Sequence, residues 1–110
     1  MSVREIPLFI NGEAVRSVSS DWRDVVNPAT QEVVARVPFA TPDEVNQAVA
    51  VAKEAFKSWR KVSLAQRMRI MLRFQALVRE HTAELAALIT EEHGKTLPDA
   101  EGEVGRGLEV

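Results

Sequence analysis

The chain has 110 residues, 45% hydrophobic and 27% charged, with a formal net charge of −2 at pH 7. That balance is ordinary for a globular protein and gives no global attraction to nucleic acid or anionic membrane. There is no cysteine, which excludes a disulfide framework, a thiolate metal site and a cysteine nucleophile within these residues. The start lacks an apolar stretch of signal-peptide length and no 18-residue apolar run occurs, so a soluble, cytoplasmic protein is expected.

The first third carries strand and turn signals. "IPLFINGEAV" is a β-rich run interrupted by Asn11-Gly12, a hairpin dipeptide because both residues tolerate positive φ. "DVVNPAT" gives a short strand into an Asn27-Pro28 turn, and "EVVARVPFA" sets Val33, Ala35 and Val37 against Glu32, Val34 and Arg36. Three short strands are predicted, at about 5–9, 23–27 and 32–38. The remainder predicts four α-helices, at about 42–58, 64–80, 83–93 and 97–110, so the class is α/β. Thr41, Pro42 and Glu44 form a capping box with proline at the first helical position. Val45, Ala48, Val49, Ala52, Phe56 and Trp59 then recur along one helical face. "SLAQ" (63–66) is a second capping-box pattern, Thr82 is the expected cap of the third helix and Gly94 its stop, and Pro98 falls in the first turn of the fourth. The expected core comprises Val45, Val49, Phe56, Trp59, Met68, Leu72, Phe74, Leu85 and Leu88.

The second predicted helix is apolar over well over half its circumference: Leu64, Met68, Ile70, Met71, Leu72, Phe74, Leu77 and Val78. A helix apolar on most sides is surrounded by protein on most sides. Four helices and three short strands can hardly supply that cover. The fourth helix gains Ala100, Val104 and Leu108 and runs to Val110 with no capping signal. Both features lead to the expectation that this is a piece of a larger fold.

Charge is unevenly placed: residues 55–79 carry seven basic and no acidic side chains, residues 80–110 two basic and eight acidic. Arg67, Arg69, Arg73 and Arg79 are scattered around their helix rather than gathered opposite one apolar face. Ion pairs with the C-terminal acids are therefore the simpler destination, the other being a membrane-surface or partner-binding helix.

The chemical motifs are sparse. Gly105 and Gly107 would need Gly or Ala at 110 and a preceding strand to make a dinucleotide fingerprint, and neither is present. Gly94-Lys95-Thr96 imitates the end of a phosphate loop, but the glycine five positions earlier is replaced by Ile89. His81 and His93 lack metal-ligand spacing, so no metal site is expected. Glu91, Glu92, Glu101 and Glu103 read as solvated helical faces. No serine lies in a G-x-S-x-G elbow. What stands out is "GEVGRGLEV" (102–110), where three glycines surround Arg106 inside a helical pattern. Each costs about 1 kcal/mol relative to alanine. Close approach of another backbone, clearance around the planar guanidinium, or a poorly formed segment could each account for them.

The order of the segments is more informative. "FINGE" (9–13), "VVNPATQEVVARVP" (25–38), the "TPDEVNQAVAVAKEAFKSW" helix, "RMRIMLRFQALVREHTAELAALIT" and "EEHGKTL" resemble, over nearly the whole chain, the N-terminal portion of the aldehyde dehydrogenase superfamily. "ITEEHGKTLPDAEGEVGRGLEV" is more discriminating. It is similar to the CoA-acylating methylmalonate-semialdehyde dehydrogenase branch, whose GKT-x-x-DA-x-G-(acid)-V-x-RG stretch more often has Asp where Glu103 stands.

The resemblance implies that residues 1–110 are the N-terminal part of an aldehyde dehydrogenase fold, within its cofactor-binding domain and with the remainder absent. It implies an NAD-dependent oxidation of methylmalonate or malonate semialdehyde, with coenzyme A taking the acyl group to give propionyl-CoA or acetyl-CoA, as in valine or inositol breakdown. It also implies a homotetramer, with no nucleic-acid or membrane partner. The catalytic cysteine and the cofactor turn of such enzymes lie downstream, so no catalytic, cofactor-binding or metal residue is assigned here and this segment alone should be inactive. One residue carries over by position: Arg106, expected to face the substrate tunnel and bind the substrate's carboxylate. That role agrees with the clearance reading of the glycines. Another aldehyde dehydrogenase, such as a succinate- or betaine-aldehyde enzyme, and a non-enzymatic helical binding module are the alternatives.

Overall fold

The computed structural model describes residues 3–110, which fall into two compact units, residues 3–26 with 33–62 and residues 27–32 with 63–110. In the first unit, β1 (Arg4–Glu5) lies parallel to β5 (Val33–Pro38), and β4 (Trp22–Val26) pairs antiparallel with the other edge of β5. Flanked on both sides, β5 carries the fully buried Ala35, while Arg36 on the opposite face pairs with its cross-strand neighbour Asp24 at 2.9 Å.

The strand expected at 5–9 is in fact two. Ile6 still donates to the Arg36 carbonyl at 2.9 Å, but Pro7 has no N–H to continue the ladder. The chain leaves that sheet and forms a separate hairpin of β2 (Leu8–Ile10) and β3 (Glu13–Val15). Its two-residue loop is Asn11-Gly12, both at positive φ (56° and 78°), as the sequence predicts. β3, three exposed residues, was not among the expected strands.

α1 (Pro42–Trp59) opens with the expected capping box: Thr41 Oγ1 accepts from the Glu44 amide, and the Glu44 carboxylate accepts from the Thr41 amide at 2.8 Å. Glu44 does more than cap. It also accepts from the Val18 amide at 2.8 Å and from the hydroxyl of Ser17 at 2.9 Å, whose side chain is only 1% exposed. These bonds, led by those from the Thr41 and Val18 amides, hold the Glu44 carboxyl below the usual carboxylate range against an opposing desolvation. Because its folded-state pKa is depressed, Glu44 contributes stability above the ordinary carboxylate range and loses it as pH falls toward the folded value. In the full-length protein, Glu44→Gln should lower the amide-exchange protection of Val18 at neutral pH. The gap from wild type should close as acidification passes below the ordinary carboxylate range. Equal protection at pH 7 would contradict this role.

The second unit begins with the Asn27–Glu32 turn. Asn27 Oδ1 accepts from the Ala29 amide at 2.9 Å, its carbonyl accepts from the Gln31 amide at 2.8 Å, and Gln31 adopts φ 64°. α2 (Leu64–Glu80), α3 (Thr82–His93) and α4 (Leu97–Glu109) follow within a residue or so of the predicted bounds. Ser63 and Thr96 cap α2 and α4 by accepting from the amides of Gln66 and Asp99, and Gly94 ends α3 at φ 86°. Thr82 is not the cap of α3. Residue His81 serves both as C-cap of α2 and N-cap of α3, and the Thr82 hydroxyl turns back to the carbonyls of Val78 and Arg79. The backbone therefore breaks for one residue only, and the threonine finds acceptors behind it rather than a donor ahead.

The core differs from expectation. Its buried apolar residues are Ile10, Ala35, Ala86, Ala100 and Val104, three of the five being alanine. Val45, Val49, Phe56, Trp59, Met68, Leu72 and Phe74 are exposed, and Leu85 and Leu88 are only partly covered. α2 has no buried residue at all, as its nearly all-round apolar surface foreshadowed. The helical periodicity is correct, but the described residues cover those faces only in part. Aliphatic and aromatic surface on this scale is covered by further protein in a stable fold.

Candidate functional site

α4 is a regular helix through all three of its glycines, which excludes the poorly formed segment. None of Gly102, Gly105 and Gly107 has positive φ, and a Cβ built at any of them meets nothing within 4 Å beyond the helix itself. Close approach of another backbone among the described residues is thereby excluded too. What remains is their placement, at positions −4, −1 and +1 relative to Arg106. On the preceding turn, which the guanidinium overlies, −4 is Gly102 and −3 is Glu103, while Gly105 and Gly107 leave the positions to either side of Arg106 around the helix without side chains.

Arg106 projects away from the buried Ala100 and Val104, its side chain 74% exposed. Its Nη2 lies 3.9 Å from Glu103 Oε1, too far for a hydrogen bond. The same oxygen accepts a short hydrogen bond from Lys95 Nζ; the Lys95 side chain is 21% exposed and that of Glu103 39%. Glu103 is thus not the solvated carboxylate expected, whereas Glu92 and Glu101 are exposed as expected. Its carboxyl is held below the usual range by the Lys95 hydrogen bond first, then by the charges of Lys95, Arg106 and His93, against desolvation. The three side chains together carry a net charge of +1.

Gly94 positions Lys95. Its left-handed turn redirects the chain between α3 and α4, and the ring of Pro28 packs against it: a Cβ at Gly94 would lie 2.7 Å from Pro28 Cγ. The "NPAT" and "HGKT" stretches are therefore brought together in one contact. On the other flank, Gln75 Nε2 on α2 donates to the Leu108 carbonyl at 2.7 Å, satisfying one of the open carbonyls at the end of α4. Beside that bond lies a groove of about 340 Å³ between α2 and α4, lined by Met71, Phe74, Val78, Leu108 and others. Apart from Gln75 it offers no side chain suited to an anion.

The remaining candidates do not assemble a site. His81 Nδ1 contacts only the exposed Glu84, at 2.9 Å, and no group of three His, Cys, Asp or Glu side chains among the described residues is placed to hold a metal ion. The α4 glycines lie inside a helix rather than at the mouth of a strand-to-helix turn, so they do not fit a dinucleotide's pyrophosphate. Of the basic block, Arg69, Arg73 and Arg79 are exposed and form no ion pair among the described residues, contrary to the expected pairing with the C-terminal acids. No helix among the described residues is long and apolar enough to cross a membrane.

The Aldehyde dehydrogenase family model matches residues 15–110. The chain belongs to the aldehyde dehydrogenase family. Among curated relatives, the rat mitochondrial methylmalonate-semialdehyde/malonate-semialdehyde dehydrogenase [acylating] is 51% identical over 109 residues, 99% of this chain and 20% of its own. The malonate-semialdehyde dehydrogenase of Bacillus subtilis (strain 168) is 49% identical over 107 residues, 97% of this chain and 22% of its own. The crystal structure of a Sinorhizobium meliloti 1021 protein complexed with NAD superposes with a TM-score of 0.94 at 36% identity, over 98% of this chain and 22% of the other. This aldehyde dehydrogenase chain spans about a fifth of the length of the curated relatives it matches. Its strands and four helices correspond to the N-terminal part of the fold.

The pairing of Lys95 with Glu103 is the contact beside Arg106 that the sequence reading missed. The available signal was the left-handed glycine just before Lys95, which folds residue 95 back toward the second turn of the following helix.

Proposed function

We propose that a full-length dehydrogenase carrying this segment oxidises methylmalonate or malonate semialdehyde and transfers the acyl group to coenzyme A, with Arg106 binding the substrate's carboxylate. In this reading residues 1–110 form part of the cofactor-binding domain. The observation that carries the role of Arg106 is an exposed guanidinium that makes no hydrogen bond among the described residues, with Gly102 on the turn before it and Gly105 and Gly107 beside it. A planar fork with open donors suits a carboxylate held by two parallel hydrogen bonds. The names of the rat and Bacillus relatives, at about half identity, support the substrate class, and the word acylating in the former supports coenzyme A as acceptor. The NAD in the Sinorhizobium structure supports that cofactor. The α4 glycines do not fit the pyrophosphate of NAD, and the contribution proposed for Arg106 is recognition of the substrate.

The test is product analysis. Methylmalonate semialdehyde, NAD and coenzyme A should give NADH, CO2 and propionyl-CoA in equal amounts, and omission of coenzyme A should abolish the thioester. Release of free methylmalonate at an undiminished rate without coenzyme A would refute the acylating reading. Preferential turnover of betaine aldehyde would refute the substrate class.

A further inference from the structure

We infer that Lys95 is a positioning residue for Arg106: by occupying Glu103 it keeps the neighbouring guanidinium free for an anionic ligand. This rests on the carboxylate-binding role of Arg106 proposed above. Glu103 is the acidic side chain one helical turn before Arg106, and an Arg and Glu at that spacing on a helix ordinarily pair. Here they do not close. Glu103 Oε1 is engaged by Lys95 Nζ, and Arg106 Nη2 stands off at 3.9 Å from that same oxygen. Lys95 is the more enclosed partner and sits at the start of the connection fixed by Gly94, whereas Arg106 is mostly exposed. The enclosed cation is thus committed to the carboxylate and the exposed one is left with its donors open. The depressed pKa of Glu103, caused first by the Lys95 hydrogen bond, is consistent with this division.

Without Lys95, the Glu103 carboxylate would have Arg106 as its nearest cation, and an incoming carboxylate would have to compete with it. An exposed pair at this spacing corresponds to about a two- to five-fold competition. In the full-length dehydrogenase, Lys95→Met should therefore raise KM for methylmalonate semialdehyde about two- to five-fold, with kcat and the KM for propanal unchanged. Lys95→Arg should behave as wild type. Glu103→Gln, alone or combined with Lys95→Met, should have a semialdehyde KM no higher than wild type, because the competitor is gone. A double variant as impaired as Lys95→Met, or a raised KM in Glu103→Gln, would overturn the inference. So would losses shared by both aldehydes. The underlying role of Arg106 is tested separately by Arg106→Leu: if that variant discriminates between the aldehydes and Lys95→Met does not, only the present inference falls.

Discussion

Replacing Arg106 with leucine is expected to raise KM for methylmalonate semialdehyde roughly 10- to 100-fold in the full-length dehydrogenase, the range for losing a charge-assisted hydrogen-bonding partner. The KM for propanal, which has no carboxylate, should change by less than about two-fold. The reason lies in the helix. Arg106 faces away from the buried Ala100 and Val104, so its removal leaves no cavity and exposes no polar group. Leucine is also a better helix former than the glycines around it, so α4 should persist. Any effect therefore reports on what the guanidinium binds. Arg106→Lys should be intermediate, since it keeps the charge but loses the fork that engages both carboxylate oxygens. Steady-state kinetics on the two aldehydes separates these outcomes, and equal losses on both would contradict a carboxylate role.

Gly94→Ala is expected to give the largest stability loss in the segment, about 2–4 kcal/mol. Two independent penalties combine. The backbone sits at φ 86°, where an L side chain costs about 1–2 kcal/mol. The added methyl would also come within 2.7 Å of Pro28 Cγ, and the proline ring cannot swing away as a flexible side chain would, because the Asn27–Glu32 turn is closed by its own hydrogen bonds. Thermal unfolding of the full-length protein checks this. Adding Pro28→Ala should recover the steric part and leave about the backbone part, a coupling expected only of residues in contact. If the two substitutions instead added independently, the Pro28–Gly94 contact would not be the source of the loss. Because Gly94 leads directly into Lys95, the single variant should also disturb the pairing with Glu103.

The helices were legible because their boundaries are written locally. Thr41 with Glu44, Ser63 with Gln66, Pro98 in the first turn of α4 and the left-handed Gly94 each start or end a helix within a few residues. Thr82 misled because a hydroxyl reads the same in sequence whether it accepts from the turn ahead or donates to the turn behind. Pro7 split one apparent strand into two sheets, and β3 was too short and too exposed to show an alternation. The core was misjudged for a different reason. Periodicity in Val45, Val49, Phe56, Met68 and Phe74 identifies a face, not what covers it, and the described residues cover it only in part. Arg106 was singled out through the resemblance and its glycines. The pairing of Lys95 with Glu103 was not foreseen, because it depends on a turn geometry that spacing alone does not convey.

The role of Arg106 is tested most directly by a crystal structure of the full-length dehydrogenase with an unreactive carboxylate analogue of the semialdehyde bound. The expected result is the carboxylate on the Arg106 guanidinium through two hydrogen bonds of about 2.7–2.9 Å, with Glu103 still held by Lys95. A carboxylate held by other residues, with Arg106 paired to Glu103 or covered by a neighbouring subunit, would contradict it.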